Sequence, residues 1–513
     1  MPSRQMEEYV MRPIEALILL AILFSLLAYL FPINRRPRWI SLLPALAALL
    51  VVIHLVVEGY RWQMVPAYAL AAAIVFVGMV GGIRQAAKPQ GEALSRRRRI
   101  LALIGVAFGL LVLAIAAVLP AILPVFSLPE PTGPYAVGTQ YYYWTDVNRP
   151  DEYTTDTGDF REVSAQIWYP AELSGAENPI RYMSRDAART LSHYWKIPEF
   201  LLDHFALVRT HAYLGADMAQ TGKPFPVITY STSGLMSPHM TLFEEFASHG
   251  YIIVCIGHPY WNPFVYGSGG EIIPFDGQNE KYQAWWAEAN SARVEEAKSQ
   301  VTLAKTTAAQ ERAFIRLNEL MPLAIPDLRM WAEDIGFVLD ELDAINQGAD
   351  PLAGALDLER VGIMGFSKGG AAAGQFCVTD ERCKAGINLT GFMYGDIVDI
   401  NLDVPFFFIN EEELWCPDCY VNELFFKRSE SSAYQMKIRG ARHTNFGDYI
   451  LYGQLIQSSN DEPAIEAERM ISIQNVYSLA FFDKYLKGLA SPLLDGPSAE
   501  FPEVIFSPNN DAP

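Results

Sequence analysis

The chain has 513 residues, of which 51% are hydrophobic, a share that is high for a purely soluble protein. Its charge is divided unevenly: residues 1–126 hold 12 Lys and Arg against 5 Asp and Glu, a net of +7, whereas residues 127–513 hold 27 against 53, a net of −26. The acidic part excludes nucleic acid as its partner, and the basic, apolar first part indicates a membrane region.

Four long apolar runs occupy the first part, each close to the roughly 20 residues that a helix needs to span a bilayer. They cover Ile14–Phe31, Trp39–Val57, Trp62–Ile83 and Ile100–Phe126. The pattern predicts a membrane region at 1–126 with four transmembrane helices, because a cleaved signal peptide would account only for the first run. Glu15 and His54 lie at or near membrane depth, but the sequence shows no paired set of ionisable residues, so a transport role is not favoured.

The connecting loops predict the orientation of these helices. Basic residues lie between the first two runs and between the last two, at Arg35, Arg36, Arg38, Arg84, Lys88 and Arg96–Arg99. Positively charged loops stay in the cytoplasm. We therefore expect a multi-pass protein of the cell membrane, with the bilayer as a partner and with everything after Phe126 outside the cytoplasm.

After a Pro/Gly linker at 129–134 the pattern changes to short strands that alternate with helices. The predicted strands are Val163–Tyr169, Val227–Tyr230, Ile252–Ile256, Val361–Met364, Ala385–Leu389, Phe406–Ile409 and Met436–Ile438. This alternation predicts an α/β domain at 127–490, with a mostly parallel sheet that helices cover on both faces. We interpret a helical insertion at about 281–346 as a solvated helix or lid, and 491–513 as a C-terminal tail.

The segment Gly365–Gly370 has the layout of a nucleophile elbow. It reads Gly-Phe-Ser-Lys-Gly-Gly and follows the apolar run Val361–Met364 directly. In such an elbow the serine sits on a turn so tight that side chains two positions before and after it would collide with the backbone, which requires glycine on both sides. A Gly/Ser-rich turn that merely joins a strand to a helix is the alternative, but the flanking strand favours Ser367 as a nucleophile.

The general base follows from chain order. In an α/β-hydrolase the triad runs as serine, acid and histidine, and of the eight histidines only His443 follows Ser367. His443 lies just after the predicted strand that ends at Ile438, where the base of this fold is expected. We therefore predict that His443 takes the proton from Ser367.

Five segments together carry a resemblance to a known family. They are Pro131–Gly138, Phe243–His258, Gly365–Gly370, Phe406–Glu412 and Ile438–Phe446. As a set they resemble the platelet-activating-factor acetylhydrolase family of α/β-hydrolases, over roughly 131–488. The resemblance implies an α/β-hydrolase fold and a serine esterase without metal or cofactor, which removes acetyl or other short acyl groups from the sn-2 position of phospholipids.

One position departs from this family in the triad itself. The family's acid stands in an Asp-containing motif after the strand that follows the elbow, and the matching residue here is Thr390. Threonine does not stabilise an imidazolium as a carboxylate does, so the acid has moved or the activity is impaired. The next strand leads into a run of glutamates, and we predict Glu412 as the acid; the further candidates are Glu413, Glu411 and Asp396.

The oxyanion hole should use the backbone N–H of Lys368 and one from the loop after the first core strand. In that loop Leu235 is predicted as the donor, with Gly234 as the alternative, where the family usually has His-Gly. The side chain of Lys368 replaces a more usual apolar residue. It could meet an anionic group of a phospholipid, but we interpret it as a lysine that extends to the surface.

The five cysteines suit a domain outside the cytoplasm. Cys416 with Cys419 and Cys377 with Cys383 are close enough in sequence to form local disulfides, and Cys255 is predicted to be a buried free thiol. A redox role for the Cys-x-x-Cys pair and a zinc site are the weaker interpretations.

These features predict a membrane-anchored serine esterase for a lipid or small ester substrate. Two alternatives stay open. One is a general carboxylesterase or an acyltransferase. The other is a catalytically impaired membrane scaffold built on a hydrolase fold, which Thr390 keeps possible.

Overall fold

The computed structural model describes residues 11–30, 38–86, 96–154, 156–175, 177–234, 239–274, 279–412, 419–452 and 465–509. The chain divides into two compact units. The first comprises Met1–Ser127, Pro198–Val208 and Tyr452–Ser458, and the second comprises Leu128–Ile197, Arg209–Leu451 and Ser459–Pro513. The predicted domain bounds, 1–126, 127–490 and 491–513, did not include the two later segments of the first unit.

Four helices build the first unit: α1 (Pro13–Ala28), α2 (Leu43–Val57), α3 (Val65–Ala86) and α4 (Arg96–Ile122). Three stretches are long and apolar enough to cross a membrane, namely Trp39–Val57, Trp62–Val80 and Ile100–Ile122. They agree with three of the four predicted spans. The first run forms only the 16-residue helix α1, which at about 1.5 Å per residue is shorter than a hydrocarbon core of roughly 30 Å.

Four ionisable residues of this unit, Arg12, Glu15, His54 and Arg61, form one largely buried cluster. Both carboxylate oxygens of Glu15 accept hydrogen bonds from Arg61 Nη1 at 2.9 Å, and Arg12 Nη2 donates to Glu15 Oε1 at 2.9 Å. His54 Nε2 lies 3.4 Å from Glu15 Oε1, and its Nδ1 lies 3.0 Å from the hydroxyl of Tyr68. The expectation that no paired set of ionisable residues accompanies Glu15 and His54 is therefore wrong. Pairing of this kind lowers the high cost of a charge in apolar surroundings.

A 12-stranded sheet and a two-stranded ribbon form the scaffold of the second unit. The strands are β1 (Ala136–Pro150), β2 (Phe160–Glu172), β3 (Pro179–Arg181), β4 (Arg209–Leu214), β5 (Asp217–Met218), β6 (Phe225–Thr232), β7 (Ile252–Gly257), β8 (Phe264–Tyr266), β9 (Ile272–Pro274), β10 (Leu356–Phe366), β11 (Cys383–Leu389), β12 (Phe406–Asn410), β13 (Ala433–Ile438) and β14 (Val504–Asn509). The sheet order is β14-β13-β12-β11-β10-β6-β7-β2-β1-β4-β3, with β5 beside β2 and with β8 and β9 as the ribbon. The six strands from β13 to β7 in this order run parallel, so the prediction of a mostly parallel core is confirmed.

Nine helices of the described residues belong to this unit and lie on both sides of the sheet. They are α5 (Arg185–Tyr194), α6 (Met240–Ser248), α7 (Glu280–Ala289), α8 (Ala292–Leu303), α9 (Thr307–Glu319), α10 (Ala324–Gln347), α11 (Lys368–Thr379), α12 (Cys419–Arg428) and α13 (Ala467–Leu486). The predicted insertion corresponds to α7–α10. Its last helix is not solvated, because α10 buries one face that includes Asp327, Trp331 and Asp334. The interpretation of the insertion as a solvated element is therefore wrong for α10.

The C-terminal segment completes the sheet. Strand β14 pairs antiparallel with β13, and Phe506 lies opposite Met436. The ring of Phe506 is 4% exposed and packs on Phe407, Tyr434 and Tyr477, with ring centroids 5.7–5.9 Å apart. The interpretation of 491–513 as a tail is therefore wrong as far as residue 509.

This packing predicts different effects for two neighbouring residues. Phe506→Ala should lower the free energy of unfolding by about 3 kcal/mol, since it removes a buried aromatic ring and leaves a cavity. The matched control is Ile505→Ala on the opposite face of the strand, where the side chain is 44% exposed; it should cost less than about 1 kcal/mol. Denaturant unfolding of both variants checks the prediction, and equal small losses would contradict the assignment of β14 to the core.

Candidate active site

The predicted elbow has the geometry of a tight strand-to-helix turn. Strand β10 ends at Phe366, helix α11 begins at Lys368, and Ser367 between them adopts φ 57° and ψ −126°. A Cβ atom on Gly365 would lie 2.1 Å from the carbonyl oxygen of Gly369, and one on Gly369 would lie 1.9 Å from the carbonyl oxygen of Ser231. Both distances are far below contact range. The two glycines are therefore required for the reason that the sequence indicated.

His443 lies within reach of this serine. Its Nε2 is 3.2 Å from Ser367 Oγ, which is hydrogen-bond distance. It begins a short 3-10 turn, His443–Asn445, that follows β13, and the side chain of Asn445 accepts a hydrogen bond from the Arg442 N–H at 2.8 Å. The fold thus brings together the predicted nucleophile and the predicted base, which are 76 residues apart.

The other ring nitrogen of His443 faces Thr390. The distance from Thr390 Oγ1 to His443 Nδ1 is 3.1 Å, so the contact predicted for Glu412 is made by threonine in this structure. Glu412 lies two residues after the end of β12, and its Oε2 accepts a hydrogen bond from the Gly440 N–H at 2.8 Å. Its backbone N–H donates to Ala441 at 3.3 Å. Glu412 is thereby fixed to the loop that leads into His443.

The remaining acid candidates lie elsewhere or outside the described residues. The carboxylate of Asp396 accepts hydrogen bonds from Arg329 at 2.5 and 3.0 Å and from Gln375 at 2.7 Å. The hydrogen bonds from Arg329 lower the pKa of Asp396. This residue lines a separate cleft of about 500 Å³ beside α10 and α11. Glu411 is buried, and Glu413 lies outside the described residues.

One predicted oxyanion-hole donor has a defined position. Lys368 is the first residue of α11, so its N–H has no acceptor within the helix. In the facing loop, the N–H of Gly234 donates to Thr232 Oγ1 at 3.1 Å. Asn262 Nδ2 holds this loop by donating to the carbonyls of Thr232 and Gly234 at 2.7 and 2.6 Å. Leu235 lies outside the described residues.

The side chain of Lys368 does not extend to the surface, and that interpretation is wrong. Lys368 is 9% exposed, and its ammonium group forms an ion pair with Asp327 in α10. It also lies over the rings of Trp261, Trp331 and Trp285, at 3.1, 4.6 and 5.2 Å from their centroids. Burial lowers the pKa of Lys368 to about 8, although the Asp327 carboxylate acts in the opposite direction. Three indole rings and a carboxylate therefore cover this charge.

The structure also contains a second serine–histidine–aspartate array, which the sequence analysis missed. His258 Nε2 lies 3.1 Å from Ser231 Oγ, and its Nδ1 lies 2.8 Å from Asp334 Oδ2. Arg161 donates to both oxygens of Asp334 at 2.7 and 3.1 Å. Although burial raises the pKa of Asp334, Arg161 and His258 hold it well below its usual range. Burial lowers the pKa of His258.

This second array differs from the elbow in two ways. Ser231 lies within strand β6 and is 1% exposed, and the chain order is serine, histidine, acid. A buried serine on a regular strand has no access to a substrate. The sequence signal was His258 at the end of a predicted strand, but its acid comes 76 residues later on a helix and could not be paired with it by spacing.

The cysteines follow the prediction where they are described. Cys377 and Cys383 form a disulfide between the end of α11 and the start of β11, and Cys255 is a buried free thiol. The predicted partner of Cys419, Cys416, lies outside the described residues, and the side chain of Cys419 is not described.

Comparisons with known proteins find a family model and relatives that match this chain. Residues 284–491 match the family model described as platelet-activating factor acetylhydrolase, isoform II. The platelet-activating factor acetylhydrolase of Bos taurus is 24% identical over 385 residues, which cover 70% of this chain and 77% of the bovine protein. A protein of Arthroderma benhamiae described as a probable 1-alkyl-2-acetylglycerophosphocholine esterase is 28% identical over 172 residues, 29% of this chain and 43% of the fungal one.

A solved structure supports the fold. The ferulic acid esterase from Streptomyces cinnamoneus superposes with a TM-score of 0.59 at 24% identity, covering 75% of this chain and 99% of the esterase. Together with the parallel core of the sheet, this likeness identifies the α/β-hydrolase fold. The resemblance inferred from the sequence is thus confirmed, and the chain is a carboxylic ester hydrolase related to the platelet-activating factor acetylhydrolase family.

Proposed function

We propose that this chain is a membrane-anchored serine esterase that cleaves short acyl chains from phospholipid-like substrates. The observation that carries the proposal is the pair formed by Ser367 and His443. The serine stands on a turn with φ 57°, and its Oγ lies 3.2 Å from His443 Nε2. This is the arrangement that activates a serine hydroxyl for attack on a carbonyl carbon.

In the proposed reaction, Ser367 Oγ attacks the ester carbonyl and His443 Nε2 takes the hydroxyl proton. The N–H groups of Lys368 and Leu235 stabilise the oxyanion. The bond to the leaving alkoxide then breaks, and His443 returns the proton to it. Water, activated by the same imidazole, hydrolyses the acyl-enzyme and regenerates Ser367.

Thr390 can hold the imidazole in the form that the reaction needs. Its hydroxyl oxygen can accept a hydrogen bond from the Nδ1–H of His443, which leaves Nε2 free to accept the proton of Ser367. A hydroxyl orients the ring but carries no charge to stabilise the imidazolium. We therefore propose that Glu412 supplies the negative charge from its place beside the loop of His443, and that Thr390 supplies the orientation.

The relatives support the substrate class. The bovine protein is described as a platelet-activating factor acetylhydrolase, and the fungal one as a glycerophosphocholine esterase. A general carboxylesterase or an acyltransferase would use the same acyl-enzyme. Product analysis with an added alcohol distinguishes the acyltransferase, in which the alcohol competes with water for the acyl group.

We also propose that α1–α4 anchor the enzyme in the cell membrane, with the second unit outside the cytoplasm. Three stretches are long enough to span, and α1 packs against α2, α3 and α4 as the fourth. The positively charged residues before and within the start of α4 place its N-terminal end in the cytoplasm, so the chain after α4 lies on the other side whether or not α1 spans. The disulfide between Cys377 and Cys383 suits an oxidising compartment.

The nucleophile can be tested by covalent labelling. A fluorophosphonate should label the wild-type protein, and labelling should vanish in Ser367→Ala because that change removes the attacking oxygen. Ser231→Ala is the matched control, since it removes the serine of the buried second array; labelling should persist. Gel fluorescence of the purified proteins measures both. A well-folded wild type that takes up no probe would favour a scaffold on an inactive hydrolase fold.

The residue that faces His443 Nδ1 can be tested by restoring a carboxylate. Thr390→Asp should raise kcat for a water-soluble ester by about tenfold or more, because a carboxylate there stabilises the imidazolium. Thr390 has φ 47°, a region that Asp and Asn tolerate better than a β-branched residue. Thr390→Asn therefore relieves the same strain without the charge. A similar gain in both variants would show that strain, not charge, limits the reaction.

The orientation can be tested with variants that each carry one introduced cysteine and in which Cys416 and Cys419 are replaced by serine; Cys377 and Cys383 stay in their disulfide, and Cys255 is buried. An impermeant maleimide should label Arg189→Cys in intact cells, because the Arg189 side chain is 51% exposed and the second unit is proposed to lie outside. Arg97→Cys, at the start of α4, should react only after permeabilisation. The reverse pattern would refute the proposed orientation.

A further inference from the structure

The surroundings of Lys368 have the form of a cation-binding site. We call the rings of Trp261, Trp285 and Trp331 together with the carboxylate of Asp327 the tryptophan box. Its members come from three separate parts of the chain, the loop after β7, helix α7 and helix α10. The ammonium of Lys368 lies 3.1–5.2 Å from the three ring centroids and is paired with the carboxylate.

The walls of the box are held in place by contacts that do not involve the lysine. Trp261 Nε1 donates to the hydroxyl of Tyr153 at 3.0 Å, and that hydroxyl donates to Asp327 Oδ1 at 2.5 Å. The ring of Trp331 stacks on His258 with centroids 3.9 Å apart and an interplanar angle of 9°. Because these contacts are independent of residue 368, we expect the box to persist without the lysine.

The chemistry of the box defines its ligand. Aromatic faces attract a cation through their quadrupole, and a cage of such faces is a general recognition site for alkylated ammonium ions. A buried carboxylate adds the compensating charge. We propose that the tryptophan box is an alkylammonium-binding site that Lys368 occupies as a ligand attached to the chain, and that this occupancy fixes the Lys368 N–H for the oxyanion hole.

The second half of this proposal rests on the proposed function, whereas the first half does not. Lys368 follows the nucleophile and begins α11. The elbow therefore fixes its backbone N–H, and the tryptophan box holds the end of its side chain. An anchored side chain limits the movement of the peptide group that should face the oxyanion.

The occupied box has a consequence for substrate choice. A quaternary ammonium headgroup, such as that of a choline ester, suits this chemistry, but the site already holds an ammonium group. We expect the wild type to hydrolyse acetylcholine and its uncharged carbon analogue, 3,3-dimethylbutyl acetate, with kcat/KM values within about threefold of each other. A strong preference for the choline ester would show that substrate cations enter the box in place of the lysine.

The binding site can be tested without any measurement of hydrolysis. In Lys368→Ala the box is vacant, and tetramethylammonium should produce a saturable change in tryptophan fluorescence that sodium does not produce. The wild type should show no such change, nor should the control Lys384→Ala, which removes an exposed lysine whose Nζ donates to the Glu381 carbonyl at 2.9 Å. Adding Asp327→Asn to Lys368→Ala should weaken binding by about tenfold. A folded Lys368→Ala protein without saturable binding would overturn the site.

Kinetics test the positioning role. Lys368→Ala should lower kcat by about tenfold or more and leave KM within about threefold, because a misplaced oxyanion donor affects the transition state. Methylammonium should occupy the vacant box without restoring kcat, because it is not attached to the backbone of residue 368. A kcat of Lys368→Ala equal to that of the wild type would overturn the positioning role. Fluorophosphonate labelling of the wild type stays the separate test of the proposed function.

A second pair of variants covers the case in which Lys368→Ala does not fold. Lys368→Met keeps most of the volume and removes the charge, so it should lower the melting temperature by leaving Asp327 unpaired in the box. Combining it with Asp327→Asn should recover much of the lost melting temperature, since both side chains are then uncharged. If the decreases in melting temperature caused by Lys368→Met and by Asp327→Asn simply add in the double variant, the ion pair on which the box depends is overturned.

Discussion

The site depends on the close approach of two backbone segments at the elbow, the first turn of α11 and strand β6. Gly369 packs so closely against β6 that even a methyl group would lie 1.9 Å from the carbonyl oxygen of Ser231. This contact lets the chain turn from β10 into α11 within one residue and forces Ser367 to a positive φ. Two results follow from the same turn: Ser367 Oγ is directed toward His443, and the N–H of Lys368 is left without a helical acceptor.

Side chains of helix α10 contact residues on both sides of this turn. Asp327, Trp331 and Asp334 are spaced by four and three residues, so they share one face of the helix. Asp327 pairs with Lys368 just after Ser367, while Asp334 accepts a hydrogen bond from His258, which contacts Ser231 just before the loop of Thr232 and Gly234. Each of these buried charges has a partner of opposite sign, and loss of one partner would leave a costly charge in the core. The end of the insertion is thus part of the support of the site.

Thr390 contacts the imidazole of His443 but carries no charge. Threonine is β-branched and is strained at φ 47°, yet it lies at the end of β11 with its hydroxyl 3.1 Å from His443 Nδ1. The backbone thus still directs residue 390 at the imidazole. At this position the departure is the loss of the carboxylate charge.

The sequence by itself determined the parts that rest on local pattern: the strands of the parallel core, the elbow with its two glycines, the only histidine after Ser367, and the apolar runs of the first unit. These follow from side-chain periodicity and from chain order, which are readable without contacts. Only the tertiary structure decided the partners that lie far apart in sequence. It showed that Thr390 contacts His443, that Glu412 accepts a hydrogen bond from Gly440, and that Asp334 contacts His258. It also showed that Lys368 lies among three tryptophans and that β14 pairs with β13. The physical reason is that a charge or a sheet edge becomes buried only when the fold packs another part of the chain against it. The spacing of residues along the sequence does not show which part of the chain that is.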